Sequence, residues 1–245
     1  MTTRLAKILI ASTVLAILPL KAFAAASTST ATSSSGTSVN TTVNTATAGA
    51  TTVLNGQLTF GAQWSTVTTT VDGAGGDVIV QSQGAGNALD VTTFNDTHVT
   101  NTQDAESTNI GSTIDASVSN VYGSVGITGQ AFCNSANIST DPAITDVTSD
   151  QTCHAQDPGS EINANVDGVS GDVSIASSAY GNTYAEDTNA TSAPATLHQT
   201  NTSNVFGTTN ATVHNVGGSV QVTAAAIGNN VQIVHYSTAQ STGGN

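Results

Sequence analysis

The sequence predicts an all-β repeat protein, most simply a β-solenoid built from four repeats of about 47 residues. Three observations predict it. The chain is self-similar at a fixed period, apolar and polar residues alternate with period two inside each repeat, and the composition favours stacked strands over a large globular core. A β-sandwich assembled from repeated hairpin units is the alternative architecture.

The repeat comes first. Four segments align: 71–87, 118–134, 166–182 and 213–229. They share the pattern V-x-x-V-x-G-[DS]-V-x-[VI]-x-small-x-small-x-G-N, departing at Ala74, which replaces the second Val, and at Cys133, which replaces the second Gly. The closing residues Asn87, Asn134, Asn182 and Asn229 are 47, 48 and 47 positions apart. Before each block lie further matching columns: Val67-x-Thr69-x-Val71, Ile114-x-Ala116-x-Val118, Ile162-x-Ala164-x-Val166 and the shorter Ala211-x-Val213. Gln103, Gln151 and Gln199 recur at 48, as do Gly111, Gly159 and Gly207. Such a unit cannot bury an apolar face alone but can do so against neighbours, which is the logic of a solenoid.

The alternation marks half-buried strands. In the third repeat Val173, Ile175, Ser177 and Ala179 fall on one side and Ser174, Ala176 and Ser178 on the other. The fourth repeat places Val220, Val222, Ala224 and Ala226 together in the same way. Gly76, Gly123, Gly171 and Gly218, just before these strands, predict one corner. The Gly-Asn pairs ending in Asn87, Asn182 and Asn229, with Asn134 in the same column after Cys133, predict a second, because Gly and Asn tolerate positive φ. A third strand is expected after Gly-Asn, and aligned asparagines predict a hydrogen-bonded ladder along the axis. The number of coils per repeat stays open, two of roughly 24 residues being one arrangement.

The flanks differ from the repeats. Residues 1–24 have the form of a secretory signal peptide: Arg4 and Lys7, an apolar run from Ile8 to Leu20, and Ala22-Phe23-Ala24 as a small-x-small cleavage site. The run is too short to span a bilayer. Residues 25–52 read as a Ser/Thr/Ala-rich linker, 53–236 as the four-repeat β domain and 237–245 as a flexible tail. The chain has no terminal aromatic and no row of long amphipathic strands before its end, which argues against a self-inserted outer-membrane barrel.

Charge narrows the function. All three basic residues lie within the first 24, and all 16 acidic residues lie between Asp72 and Asp187. Beyond the leader there is no Lys or Arg to hold a phosphate backbone, so nucleic acid is excluded as a partner. Attraction to anionic lipid is excluded on the same ground. Only 8% of residues are charged and 4% aromatic, which suits backbone pairing with modest apolar burial better than a large core.

Candidate chemistry is sparse. Cys133 and Cys153 are an even pair in a chain with an export leader, so one disulfide is expected across the turn-rich stretch between the second and third blocks. A Cys153-His154 nucleophile and base is disfavoured, because adjacent strand residues face opposite ways. The histidines at 98, 154, 198, 214 and 235 share no column and no zinc spacing, so no metal site is expected. Gly73-Ala-Gly-Gly-Asp77 echoes a calcium-binding nonapeptide, but Asp77 becomes Ser124 and Ser219 in other copies. No nucleophile elbow, phosphate loop or dinucleotide fingerprint occurs, and Glu186-Asp187 reads as solvated surface. No catalytic residue and no cofactor are therefore expected.

The repeated phrase, clearest at 166–182 and 213–229, together with the Gln/Asn/Thr segment 198–206, resembles holdfast anchor protein D of stalked alphaproteobacteria over roughly residues 67–233. It is also similar to curlin-type amyloid repeats, though its repeat is longer. The resemblance implies a non-enzymatic, outer-membrane-associated cell-surface protein. Such a protein ties an adhesive polysaccharide to the envelope with companion outer-membrane anchor proteins. Exposed strand edges at the solenoid ends suit self-association or partner recruitment. Polar outer faces with Tyr122, Phe132, Tyr180 and Tyr184 suit contact with polysaccharide. A curli-like self-assembling fibre subunit is the alternative. An ice-binding face is disfavoured because Thr68-Thr69-Thr70 becomes Asp115-Ala116-Ser117. A polysaccharide-degrading solenoid lacks aligned carboxylates, since Ser124 interrupts Asp77 and Asp172.

Overall fold

The computed structural model describes residues 27–33, 39–45, 51–94, 96–141 and 144–236. Leader residues 1–24 and tail residues 237–245 lie outside them. Twelve strands and no helix are found among the described residues: β1 Ser27–Ser33, β2 Val39–Thr45, β3 Thr51–Asp72, β4 Val78–Thr93, β5 Thr97–Val121, β6 Val125–Thr140, β7 Thr145–Cys153, β8 Gly159–Val169, β9 Val173–Thr188, β10 Ala195–Asn201, β11 Phe206–Val216 and β12 Val220–His235.

Each repeat forms one coil, not two. A coil is a long strand, a corner, and a second strand returning over the first. The first layer stacks β3, β5, β7 with β8, and β10 with β11; the second stacks β4, β6, β9 and β12. Successive coils pair in parallel, for example Ile114↔Ile162 and Val125↔Val173, with one register shift between Phe60 and Ala62 where β3 meets β5. The second-layer strands have 16 residues each, about 50 Å at the usual rise. Small side chains and β-branched residues allow such length, and β6 and β9 are paired along almost their whole course by the coils on either side.

Within the stretch read as a linker, β1 and β2 pair with the first coil. β2 continues the parallel second layer through Val39↔Asn87, whereas β1 pairs antiparallel with β3 through Ser27↔Val71. That reversal ends the parallel register on the amino-terminal side.

The first corner holds Gly76, Gly123, Gly171 and Gly218 in bends between strands. Its left-handed position is the column Gly73, Asn120, Gly168 and Asn215, with φ of 74°, 53°, 67° and 51°. Only Gly, and Asn at modest cost, suits that conformation. The Gly-Asn pairs, by contrast, are not corners. Asn87, Asn134 and Asn182 sit inside β4, β6 and β9, and the strand runs through them. What changes there is the inward phase: Gly86 and Asn87, Cys133 and Asn134, and Gly181 and Asn182 are buried consecutively, so even-numbered burial gives way to odd or the reverse. The residue preceding each asparagine must be small, since a Cβ on Gly86 would lie 2.4 Å from the Cys133 carbonyl oxygen.

The core follows this phase change. An Ile/Val cluster fills the first-corner end, including Ile114, Ile127, Ile162 and Ile175. A second cluster of Leu89, Val91, Ile138, Val147 and Tyr184 fills the other end. Between them lie Ala105, Ile110, Ala155 and the two cysteines. Full burial of an Ile or Val side chain contributes about 1.5–3 kcal/mol, so these stacked columns supply the main cohesion. In the fourth coil the glycine column slips by one residue, so that Phe206, not Gly207, stands opposite Gly159, while Val213 keeps its place opposite Val166. The Phe206 ring occupies the space that a Cβ at Gly159 would need, just as Trp64 covers Gly111.

Candidate functional surface

Two buried amide ladders hold the coils in register. Asn87 donates to Asn134, Asn134 to Asn182 and Asn182 to Asn229, each Nδ2 to Oδ1 at 2.8 Å. Gln103 donates to Gln57, Gln151 to Gln103 and Gln199 to Gln151, at 2.8, 2.7 and 2.7 Å. The ladders therefore point their donors in opposite directions along the axis. They also clasp the two layers. Asn134 Nδ2 donates to the Thr152 carbonyl at 2.7 Å, the residue after Gln151. Gln151 Nε2 donates to the Thr183 carbonyl at 2.9 Å, the residue after Asn182. Buried amides are tolerable here because their donors and acceptors are matched.

The corner carries a third ladder. Asp77 Oδ1 accepts the Ser124 backbone N–H at 2.8 Å, Ser124 Oγ accepts that of Asp172 at 3.1 Å, and Asp172 Oδ1 accepts that of Ser219 at 2.8 Å. This explains the Asp/Ser alternation of the motif: each side chain satisfies a backbone donor one coil on. Asp72 accepts from Asn120 at 2.7 Å and from Ser119 at 2.8 Å, and those two donors hold its carboxyl below the usual range.

Cys133 and Cys153 form a disulfide with Cα atoms 5.7 Å apart, joining the two layers at the phase change. Just outside it, Asp104, Glu106 and His154 place their ligand atoms within 4.8 Å of one another. Asp104 Oδ1 is buried and has no hydrogen-bond partner, while Glu106 and His154 are exposed. Two carboxylates and an imidazole are a donor set that suits a divalent cation. The sequence hides this grouping because His154 belongs to the next coil. Its backbone N–H bonds to Ala105, which fixes it beside Glu106.

The outer face of the first layer carries polar columns near the first corner, while Leu54, Leu58 and Phe60 are exposed farther along the first coil. Along the first layer two outward columns cross all four coils: Thr68, Asp115, Asn163 and Asn210, and beside them Thr70, Ser117, Asn165 and Thr212. They line an open, shallow groove parallel to the solenoid axis. Successive rungs stand about 4.8 Å apart, so hydroxyl and amide groups repeat at a spacing close to a sugar ring. Acidic side chains on the outer faces are bridged to the next coil, as Asn163 to Asp115 at 3.1 Å and Asn137 to Asp90 at 3.1 Å. His98 and His198 face Asp146 and Asp150 at 3.6 and 3.4 Å.

The aromatics divide. Tyr122 is exposed beside the first corner, and Phe132 and Tyr180 are half-buried neighbours in one outward column of the second layer. Tyr184 is buried, so it belongs to the core and not to a contact surface. Its hydroxyl donates to Glu186 Oε2 at 2.7 Å. Glu186 is also buried, not solvated as its position in a linker suggested, and its Oε1 has no hydrogen-bond partner. Burial pushes its carboxyl up, against the downward pull of Tyr184 and of His235. Burial and the neighbouring carboxylate push the Tyr184 hydroxyl up as well.

The family model for holdfast attachment protein D matches residues 94–243. No curated protein and no solved structure matches the chain.

Proposed function

Given that the chain belongs to the holdfast attachment protein D family and so has a role in holdfast attachment, we propose that it is an exported anchor that ties the adhesive polysaccharide to the bacterial envelope. The observation that carries this reading is the pair of polar columns on the first layer. They repeat hydroxyl, amide and carboxyl groups across four coils with no enclosed pocket among them. A long polymer is held by many weak, evenly spaced contacts, and multivalency makes them strong together. Phe132 and Tyr180 on the opposite face add ring surfaces for stacking on sugars.

In this reading residues 1–24 are cleaved on export, and the remaining chain works at the outer-membrane surface beside companion anchor proteins. Its chemistry is binding, without a catalytic step or cofactor. The disulfide pairing of Cys133 and Cys153 fits an oxidising compartment.

The experiment is co-sedimentation of the purified chain from Ala25 to Asn245 with polysaccharide isolated from the adhesive. Binding is expected, and it should weaken when Asn163→Ala and Asn165→Ala are combined, or Phe132→Ala and Tyr180→Ala. A chain that leaves the polysaccharide entirely free would overturn direct anchoring. The second reading, a self-assembling fibre subunit, is favoured by the fourth coil, beyond which no described residue stacks.

A further inference from the structure

We propose that the carboxy-terminal face of the solenoid is an interface between two copies of the chain, joined end to end about a two-fold axis. The inference stands apart from polysaccharide binding, because its observations all lie in the fourth coil.

That coil presents a cross-section of the core. Val220, Val222, Val231 and Ile233 are 49%, 45%, 49% and 46% exposed, yet they continue the inward columns of Val173, Ile175, Tyr184 and Glu186, which are at most 2% exposed. The only difference is that nothing among the described residues stacks beyond them. β10, β11 and β12 each pair on one side only, leaving a full row of backbone donors and acceptors. Monomeric proteins blunt such edges with charge. Here the last acidic residue is Asp187, and nothing from Thr188 to Asn245 is Asp, Glu, Lys or Arg. In a chain whose middle carries 16 carboxylates, this end is where two copies approach with least repulsion.

The ladders specify the partner. Asn229 spends one N–H on the Gln199 carbonyl at 3.2 Å, and its Oδ1 is taken by Asn182, so it offers a remaining donor. Gln199 donates to Gln151 at 2.7 Å and to the Asn230 carbonyl at 3.3 Å, so its Oε1 is an acceptor with no donor among the described residues. The face thus shows a donor on the second layer and an acceptor on the first. A two-fold axis running between the layers, along the strands, exchanges the layers and keeps strand direction. It pairs β12 of each copy antiparallel with the first layer of the other, and brings each Asn229 donor over the layer that holds the Gln199 acceptor. The amino-terminal end does not match. There the Thr59 hydroxyl donates to Asn87 Oδ1, β2 sets Val39 in the asparagine column, and β1 runs antiparallel. An isologous contact therefore closes at two copies and does not grow into a fibre.

The test is sedimentation velocity of the chain from Ala25 to Asn245 across a concentration series. Twice the monomer mass is expected, falling to the monomer for Ile233→Lys and for Val222→Asp. Leu58→Asp, an exposed change in the first coil, should leave the dimer intact, and circular dichroism should show all variants folded. A dimer that survives both end-face variants would overturn the proposal. So would open-ended polymers, which require head-to-tail stacking. A chain that is monomeric at every concentration also overturns it, as does one that dimerises only once Ser237–Asn245 is removed, since the tail is then the occupant. A monomer that still binds polysaccharide would sink this inference and leave the anchoring reading standing.

Discussion

Asn134 and Asn182, one coil apart, share a 2.8 Å amide hydrogen bond with both side chains fully buried. Each therefore both donates and accepts along the axis. Asn182→Asp removes the donor and sets a carboxylate against the Thr200 carbonyl and Asn229 Oδ1, both acceptors. The expected loss is about 3–5 kcal/mol, the usual cost of an uncompensated buried charge. Asn182→Ala should cost less, because it leaves its neighbours unpaired without adding charge. Urea denaturation followed by circular dichroism reads both.

The disulfide closes a separation of 20 residues. Replacing Cys133 and Cys153 together by Ser should lower stability by about 3 kcal/mol on the loop-entropy argument. The same loss should follow from reductant in the unaltered chain and be absent from the Ser variant.

At the left-handed column two substitutions of one residue should differ in the size of their effect. At Asn120, φ is 53°. Asn120→Gly relieves the backbone but gives up the bond to Asp72, so its effect should be small. Asn120→Val puts a β-branched residue where φ is positive and should cost about 1–3 kcal/mol. Thermal unfolding of the two variants side by side separates backbone strain from the lost hydrogen bond.

Glu186 makes stability fall with rising pH. Its folded pKa is raised by burial, so the folded chain holds this proton to higher pH than the unfolded chain does. The contribution is at its most favourable below the ordinary carboxylate range, declines as pH rises from there through the raised value, and then stays level. Glu186→Gln should abolish that decline and be the more stable form at neutral pH. Unfolding curves from about pH 4 upward, where a free Glu titrates, test this. An unchanged slope in the variant would assign the decline to other groups.

Much of the architecture was legible because periodicity reports stacking directly. The columns around Val118, Val166 and Val213 align in the sequence as they do in the sheet, and the repeated asparagines do form a ladder. What the sequence hid was the meaning of Gly-Asn. Local composition cannot separate a corner from a change of inward phase, since both need a small residue. The real left-handed column alternates Gly73, Asn120, Gly168 and Asn215, and reading that column across the repeats was the available signal. One coil per repeat was also hidden, because period-two alternation on either side of a phase change looks like two separate strands. Tyr184 and Glu186 look like surface residues until their columns, Leu89 with Ala136 and Val91 with Ile138, are seen to be core. The Asp104, Glu106 and His154 grouping depends on neighbouring coils and has no local signature.

Deletion of the gene in its native host tests attachment most directly. The surface adhesive is labelled with a fluorescent lectin and the cells are washed. Polysaccharide is expected still to be made but to be shed into the medium, leaving the washed cells unlabelled. Adhesive that stays on the washed cells, with attachment to surfaces unchanged, would contradict anchoring by this chain.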